Sequence, residues 1–446
     1  MTRRDLPAIV VGRMSEHETI SRLLSWTARG PENQDSKEQR VSELLRRICP
    51  NLHGLEVLKV AGTNGKGSVA AALEACLKAG GKRVGLFTSP HLERVTERIR
   101  INSLEINPST LEAYASRLEP LLLDFASERG PDFVPYFFEV MLLIAVQVFL
   151  DEKVDYAVFE AGIGGGRDAT AMLPSQISVI TTVSYDHEDR LGASLLQIAA
   201  EKAGIAAENS TLILGPRIKE DVKITIRRAT SERNVRIIQA PLDRFAVKRQ
   251  AHDACVVTVS LPSGDMKIDL PLLAGFQLDN LSTVLAVLET LARTHELPVE
   301  ASIQGVAGVR CPGRFEYIDA HPSWLLDGAH NREAISALIS GIRTYFASSD
   351  RVLIYGTSRG KSYAAYLARL AQIAQQVYVT DDFHNAQNRE TLAAELPKNL
   401  DIRVWNTSVE ELVRSLQSGP ATRDKLVVTT GSLFLVGRVR SALGIG

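Results

Sequence analysis

The stretch VLKVAGTNGKGSVAAALEACLKAGG, Val57–Gly81, decides how this chain is read. Its opening residues favour an extended strand, its middle is a small glycine-rich turn, and its alanine-rich end has helical spacing. A strand, a glycine turn and a helix N-terminus make an anion site, because free backbone N–H groups point outward and the helix dipole favours negative charge. Lys66 adds a mobile cation for β- and γ-phosphates, and Ser68 a hydroxyl for a metal or a phosphate. The common pattern G-x-x-x-x-G-K-[ST] is not met: Val60 stands at its first glycine, and Gly67 separates Lys66 from Ser68. The plain alternative is an ordinary strand-to-helix turn, but Thr-Asn-Gly-Lys-Gly-Ser is unusual chemistry for a mere connector.

Working outward, short β-branched runs alternate with helical patterns. RVGLFTS, VDYAVFEAG and ISVITTVS read as strands, the last two almost wholly apolar, as parallel strands covered on both faces should be. TLEAYASRLEPLLLDFAS, YFFEVMLLIAVQVFLDE and SLLQIAAEKAGI read as helices. From about Pro241 to Leu270 the pattern turns to short alternating strands, FAVKRQ, ACVVTVSL and GDMKIDL, which predict a small antiparallel sheet, and a helix follows over 277–295. VRCPGR breaks the pattern near Val309–Gly313, and a second strand–helix alternation begins with WLLDGAH, RVLIYGTS, QVYVTDD and KLVVTTGS. The reading is α/β throughout: a larger domain over 1–309 with a mainly parallel sheet plus the small antiparallel one, and a smaller Rossmann-like domain over 310–446.

Composition bounds the function. The 446 residues are 45% hydrophobic, enough for a large core, and a net charge of −1 gives no electrostatic reason to expect nucleic acid or an anionic membrane. Cys49, Cys76, Cys255 and Cys311 are widely spaced and read as reduced core thiols, so a cytoplasmic protein is expected. The apolar run at Ala8–Val11 is too short for a signal sequence, and no stretch approaches the length of a membrane span.

With these residues in view, the chain resembles the dihydrofolate synthase/folylpolyglutamate synthase family of the Mur ligase superfamily. GTNGKGS at Gly62–Ser68 is similar to that family's phosphate loop. TSPHL at Thr88–Leu92, ERIRIN at Glu97–Asn102, FFE at Phe137–Glu139, EAGIGGGRDAT at Glu160–Thr170, Asp186–His187 and EKAGI at Glu201–Ile205 follow in the family's order. PGRFE at Pro312–Glu316, LDGAHN at Leu326–Asn331 and TTGSLFL at Thr429–Leu435 continue it in the second domain.

The resemblance implies a P-loop-type ATPase domain followed by a ligase domain, and a reaction in which ATP phosphorylates a carboxylate and the amine of glutamate displaces the phosphate. It implies ATP contacts from Gly62, Thr63, Asn64, Gly65, Lys66, Gly67 and Ser68, with Asn280, Arg314 and Asp327 completing the nucleotide site. It places Mg2+ on Ser89, Glu160 and His187, with Lys202 as a carbamate for a second ion; K+ is a further candidate. Lys66, His187, Lys202 and His330 would be catalytic, and Ser432 would lie with His330 on the glutamate side. The pterin-bearing acceptor, a pteroate or folate, would meet Tyr136, Phe137, Phe138 and Glu139, whose aromatics suit a flat heterocycle, and Arg167, Asp168 and Ala169. A monomer acting on small molecules is expected. Several of these residues have plainer readings: Ser89 as a turn cap, Ser432 as a helix N-cap, His330 as a loop histidine, Phe137 and Phe138 as the start of a core helix.

The pattern also departs from the family. Gly166 stands at a usual arginine and Ala171 at a usual asparagine; Tyr136 replaces a small residue, Phe276 a histidine, and Gly360–Ser362 reads GKS where two carboxylates are usual. A polar insertion, RGPENQDSKEQR, precedes the phosphate loop. None of these touches a phosphate or magnesium position, so they bear on the acceptor more than on the reaction. A ligase for another carboxylate, or a silent ATP-binding relative, are the alternatives; retention of Lys66, Glu160, His187 and Lys202 argues against silence.

Overall fold

A computed structural model describes residues 16–27, 34–250, 255–270, 275–359, 364–374, 376–397 and 400–445. Glu56–Ala61 sits at the middle of an eight-stranded sheet, between Tyr156–Glu160 and Ile177–Ile180. Outward on one side lie Val84–Phe87, Ile99–Ile101 and Leu104–Glu105; on the other lie Thr211–Leu214 and Arg236–Gln239. Only the Ile99–Ile101 and Leu104–Glu105 edge pairs antiparallel. The central strands are buried on both faces, which is why they read as continuous apolar runs.

Gly264–Leu270, Cys255–Leu261 and Phe245–Gln250 form a three-stranded antiparallel sheet, as the alternation predicted. Val257, Val259 and Ile268 share one core with the helices Lys66–Ala79 and Phe276–Leu291. The small sheet is therefore a buttress that presses the second helix onto the first. The third sheet runs Glu316–Ile318, Ser323–Leu326, Leu426–Thr430, Arg351–Tyr355, Gln376–Val379, Asp401–Val404, parallel except at its first edge. Among the described residues no helix is long and apolar enough to cross a membrane.

Two readings change. The segment taken as a polar insertion contains the start of a helix, Gln34–Ile48, because its few apolar residues, Val41, Leu44 and Leu45, fall on one buried face. The strands Thr211–Leu214, Arg236–Gln239 and Asp401–Val404, which extend the two large sheets, were not read from the sequence at all. Gly360–Ser362 lies outside the described residues.

Candidate active site

The glycine turn is tied on both sides before it meets any ligand. Gly62 has φ +147 and Gly65 φ +84, in the region that favours glycine. Thr63 N–H donates to the Thr182 carbonyl at 2.9 Å, and Asn64 N–H to Thr182 Oγ1 at 2.9 Å. Thr181 Oγ1 donates to the Asn64 carbonyl at 2.6 Å. The Thr-Thr pair ending the strand Ile177–Ile180 thus anchors the turn, a role the sequence reading missed although ITTVS was in view. A Cβ on Gly62 would stand 1.9 Å from Thr181 Oγ1. One on Gly65 would stand 2.5 Å from Asn280 Oδ1, so the helix Phe276–Leu291 delivers Asn280 directly onto the turn. Asn280 Nδ2 in turn donates to Gln277 Oε1 at 2.8 Å.

Three charged groups meet at this turn. Lys66 opens the helix Lys66–Ala79, and its ammonium donates to the carbonyls of Gly62 and Thr63, each at 3.2 Å. Glu160 ends its strand with 3% exposure and accepts the Ser89 N–H at 3.1 Å. Burial pushes its carboxyl pKa up, against the pull of Lys66, the Ser89 N–H, Arg314 and Arg98. Lys202 has 2% exposure and donates to the Gly62 carbonyl at 2.9 Å. Burial and then the charge of Lys66 lower its pKa to about 7. The helix Leu195–Ala203 can come this close because the neighbouring loop is glycine: a Cβ on Gly165 would stand 2.4 Å from the Lys202 carbonyl oxygen, and one on Gly204 2.3 Å from the Gly166 Cα. Glycine at 166, in place of the family's arginine, fits this crossing.

The smaller half closes the site. Asp327 accepts the N–H groups of Phe315 and Ala329 at 2.7 and 2.8 Å, tying the turn that carries Arg314 to the turn that carries His330. Burial raises its pKa while Arg314 pulls it down. His330 Nδ1 lies 2.8 Å from the Gly328 carbonyl, and its Nε2 3.6 Å from Asp186 Oδ2 across the cleft. Asn331 and Asn64 exchange amide hydrogen bonds across the same gap, at 2.9 and 3.3 Å. Asn331 also donates to Asp186 Oδ2 at 3.2 Å and accepts the Ala334 N–H at 3.0 Å as cap of the helix Arg332–Tyr345.

A cavity of about 150 Å³ lies against the turn, lined by Gly67, Ser68, Ser89, Glu160 and Arg314 among others. It shares Ser89 and Leu433 with a larger cleft of about 1060 Å³, lined also by Phe137, Phe138, His187, His330 and Ser432. The cleft brings together candidates from both halves. Ser432 takes its plainer reading too, accepting the Phe434 N–H at 3.2 Å as a helix cap. Tyr136 and Arg167 also line it, Arg167 on the exposed rim. Asp168 lies at its wall but is committed to the loop: it accepts from the N–H groups of Gly162, Ile163 and Thr170 and from the Thr170 hydroxyl. Ala169 is buried behind it.

Glu139, read as facing the acceptor, is turned away. It has 1% exposure and accepts both Nε and Nη2 of Arg40 at 2.8 and 2.7 Å, plus the Tyr136 N–H at 3.0 Å. A carboxylate at the first turn of an apolar helix needs a partner when buried, and the helix Gln34–Ile48 supplies it. Arg40 also lies over the Tyr136 ring, 5.1 Å from its centroid. Arg40 was invisible in the sequence, where it looked like one charge in a polar run.

The chain is similar to known proteins over most of its length. Residues 136–288 match the family described as Mur ligase middle domain, and residues 313–433 that described as Mur ligase, glutamate ligase domain. The chain is 30% identical over 426 residues to a dihydrofolate synthase/folylpolyglutamate synthase of Bacillus subtilis, covering 91% of this chain and 94% of that one. It is 29% identical over 414 residues to a probable bifunctional folylpolyglutamate synthase/dihydropteroate synthase of Haloferax volcanii, spanning 90% of its own length but only 48% of that longer protein. A crystal structure of Mycobacterium tuberculosis folylpolyglutamate synthase, complexed with ADP and AMPPCP, superposes with a TM-score of 0.84 at 29% identity, over 96% of this chain and 99% of that one.

Proposed function

The chain belongs to the dihydrofolate synthase/folylpolyglutamate synthase family of the Mur ligases, and from that premise we propose that it joins the amine of glutamate to the carboxylate of dihydropteroate, of a folylpolyglutamate, or of both. It is an ATP-dependent amide-forming ligase. The observation that carries the reading is the meeting of Lys66 with the buried Glu160 and Lys202 at one glycine turn, against a cavity lined from both halves of the chain by Gly67, Ser68, Glu160 and Arg314.

The acceptor carboxylate attacks the γ-phosphorus of ATP, ADP leaves, and an acyl phosphate forms. The deprotonated amine of glutamate then attacks the acyl carbon, and inorganic phosphate departs. In this reading the N–H groups of Gly62–Ser68 and the ammonium of Lys66 hold the phosphates, and Asn280, Arg314 and Asp327 serve the rest of the nucleotide. Tyr136, Phe137, Phe138 and Arg167 would receive the acceptor, and His330 and Ser432 the glutamate. We take the ATP-binding half as 1–309 and the other as 310–446. Since one chain supplies both walls, a monomer suffices.

The residues fit Mg2+. It prefers oxygen ligands and is held by one or two carboxylates plus phosphates rather than by a protein cage. Among the described residues no three acidic, histidine or cysteine side chains converge, whereas Glu160 is a buried carboxylate with a single backbone partner beside Ser89. Ser89, Glu160 and His187 would hold the ion, which when bound would neutralise phosphate charge. Lys202, with its pKa near 7, has neutral amine available at physiological pH, the form that carbon dioxide carbamylates.

The test is phosphate release from ATP by the purified protein, with dihydropteroate plus glutamate and then with a reduced folate plus glutamate, and product identified by mass. Release that needs both co-substrates is expected. ATP turnover that never depends on a carboxylate acceptor would sink the ligase reading. A bicarbonate-free preparation should lose activity and regain it on bicarbonate addition, whereas Lys202→Ala should respond to acetate alone.

A further inference from the structure

Arg98 is the one buried arginine of the cleft wall that the roles above leave without a task. It ends the turn Val95–Arg98, is 8% exposed, and lines the same cleft as Ser89, Phe137 and Phe138. Its backbone is fixed beside Ser89, since the Arg98 carbonyl accepts the Thr88 N–H at 2.9 Å. Its side chain is fixed from two directions. Nε donates to His91 Nδ1 at 2.9 Å, and the guanidinium carbon lies 5.5 Å from the centroid of the Phe137 ring. Burial and the charge of Arg98 hold His91 near a pKa of about 4, so it accepts that hydrogen bond at neutral pH.

What Arg98 lacks is an anion. Glu97, its chain neighbour, spends its carboxylate on the N–H groups of Leu92, Glu93 and Arg94, at 2.7 to 3.0 Å. Glu160 is close enough for a Coulomb attraction but forms no ion pair with it. Among the described residues the terminal nitrogens of Arg98 make no hydrogen bond to protein. An unpaired buried guanidinium is costly, and a planar fork held by its Nε and one face presents its two outer N–H pairs to whatever fills the cleft. A carboxylate matches that fork in two parallel bonds.

We infer that Arg98 receives the reacting carboxylate of the acceptor and holds it beside the phosphate site for transfer of the phosphoryl group. The acceptor, rather than the incoming glutamate, is the match because Arg98 lies against Phe137 on the wall of the larger half, whereas His330 and Ser432 face it from the other. The inference rests on the ligase reading above and names the contact that reading left open. The acceptor ring would stack on the aromatics while Arg98 sets the distance of its carboxylate from the γ-phosphate.

The test uses the full chain with two acceptors, dihydropteroate and a reduced folate, and with the carboxamide of each as a non-reacting control. Arg98→Met should raise the KM for the acceptor by about 10- to 100-fold, the loss of charged hydrogen bonds, and leave the KM for ATP little changed. Arg98→Lys, which keeps the charge without the fork, should fall between. In direct titration with a non-hydrolysable ATP analogue present, the wild type should bind the carboxylate more tightly than the carboxamide, and Arg98→Met should bind both alike. Wild-type acceptor KM, or retained preference for the carboxylate, in a folded Arg98→Met protein would overturn the assignment while the ligase reading stood. Should Arg98→Met not fold, Arg98→Lys decides in the same way: an unchanged preference overturns it. Failure of the wild type to ligate or bind any pteroate or folate would overturn both.

Discussion

Lys59 stands in the middle strand of the larger sheet with no exposed surface, and its ammonium donates to the carbonyls of Ala171 and Leu173 at 3.2 and 3.0 Å. It stitches the strand that leads to the Gly62–Ser68 turn to the turn that follows the loop Gly162–Gly166. Burial lowers its pKa from 10.5 to about 7. Between those values the unfolded chain binds a proton that the folded one does not, so stability rises with pH across that window and falls as pH drops towards 7. Denaturant melts at pH 7 and pH 9 should show this gain, at most about 2 kcal/mol from one such group. Lys59→Met should flatten the slope whatever it does to stability itself. Lys66 makes a different case. Its ammonium touches only loop carbonyls, so Lys66→Ala should abolish ATP turnover and leave the melting temperature nearly unchanged. Wild-type turnover in that protein would show that the lysine has no part in phosphate binding. Lys66 was legible because a glycine turn between a strand and a helix has few other uses. Lys59 and Arg40 were not, because burial of a charge depends on chain segments more than a hundred and about a hundred residues away, the spacing of Lys59 from Ala171 and Arg40 from Glu139.

At the scale of elements, the close crossing of the loop Gly162–Gly166 with the helix Leu195–Ala203 sets where Lys202 ends. Gly165→Ala would drive a methyl into the Lys202 carbonyl at 2.4 Å. It should cost about 1–3 kcal/mol as overpacking and reduce activity further than the stability loss explains; equal losses at saturating substrate and in stability would mark the crossing as packing alone. The helix Gln34–Ile48 offers the converse test. Arg40→Met leaves Glu139 buried without its guanidinium and should cost about 3–5 kcal/mol. The pair Arg40→Met with Glu139→Gln should recover much of that in a thermal or denaturant melt. Central strands and the small sheet were legible, since apolar runs and strict alternation each have one periodicity. The edge strands Arg236–Gln239 and Asp401–Val404 were not, because they are partly exposed and carry charge. The buried face of the helix Gln34–Ile48 was hidden because its charges outnumber the apolar residues that bury it.

On the scale of the whole molecule, the two halves are held at several points around the cleft. Arg440 lies between Glu93 of the larger half and Glu316 of the smaller, at 3.0 Å from each. A Cβ on Gly437 would stand 2.1 Å from the Leu92 carbonyl, so the helix Leu433–Leu443 rests on the loop that carries Ser89. Gly437→Ala should hold the halves apart and weaken ATP turnover without unfolding either sheet, which amide exchange in each sheet would show. The exchange of amide hydrogen bonds between Asn64 and Asn331 has a wider bearing. Asn64 belongs to the glycine turn proposed above to hold the phosphates, and Asn331 caps a helix of the opposite half. In the proposed reading, nucleotide occupancy and the approach of the two halves draw on the same contact, and their free energies are expected to be coupled. Reciprocity then holds: whatever factor the nucleotide contributes to closure, closure returns to nucleotide affinity. A covalent link that pins the halves together should tighten nucleotide binding in wild type, and that gain should shrink when Asn331 is replaced by alanine.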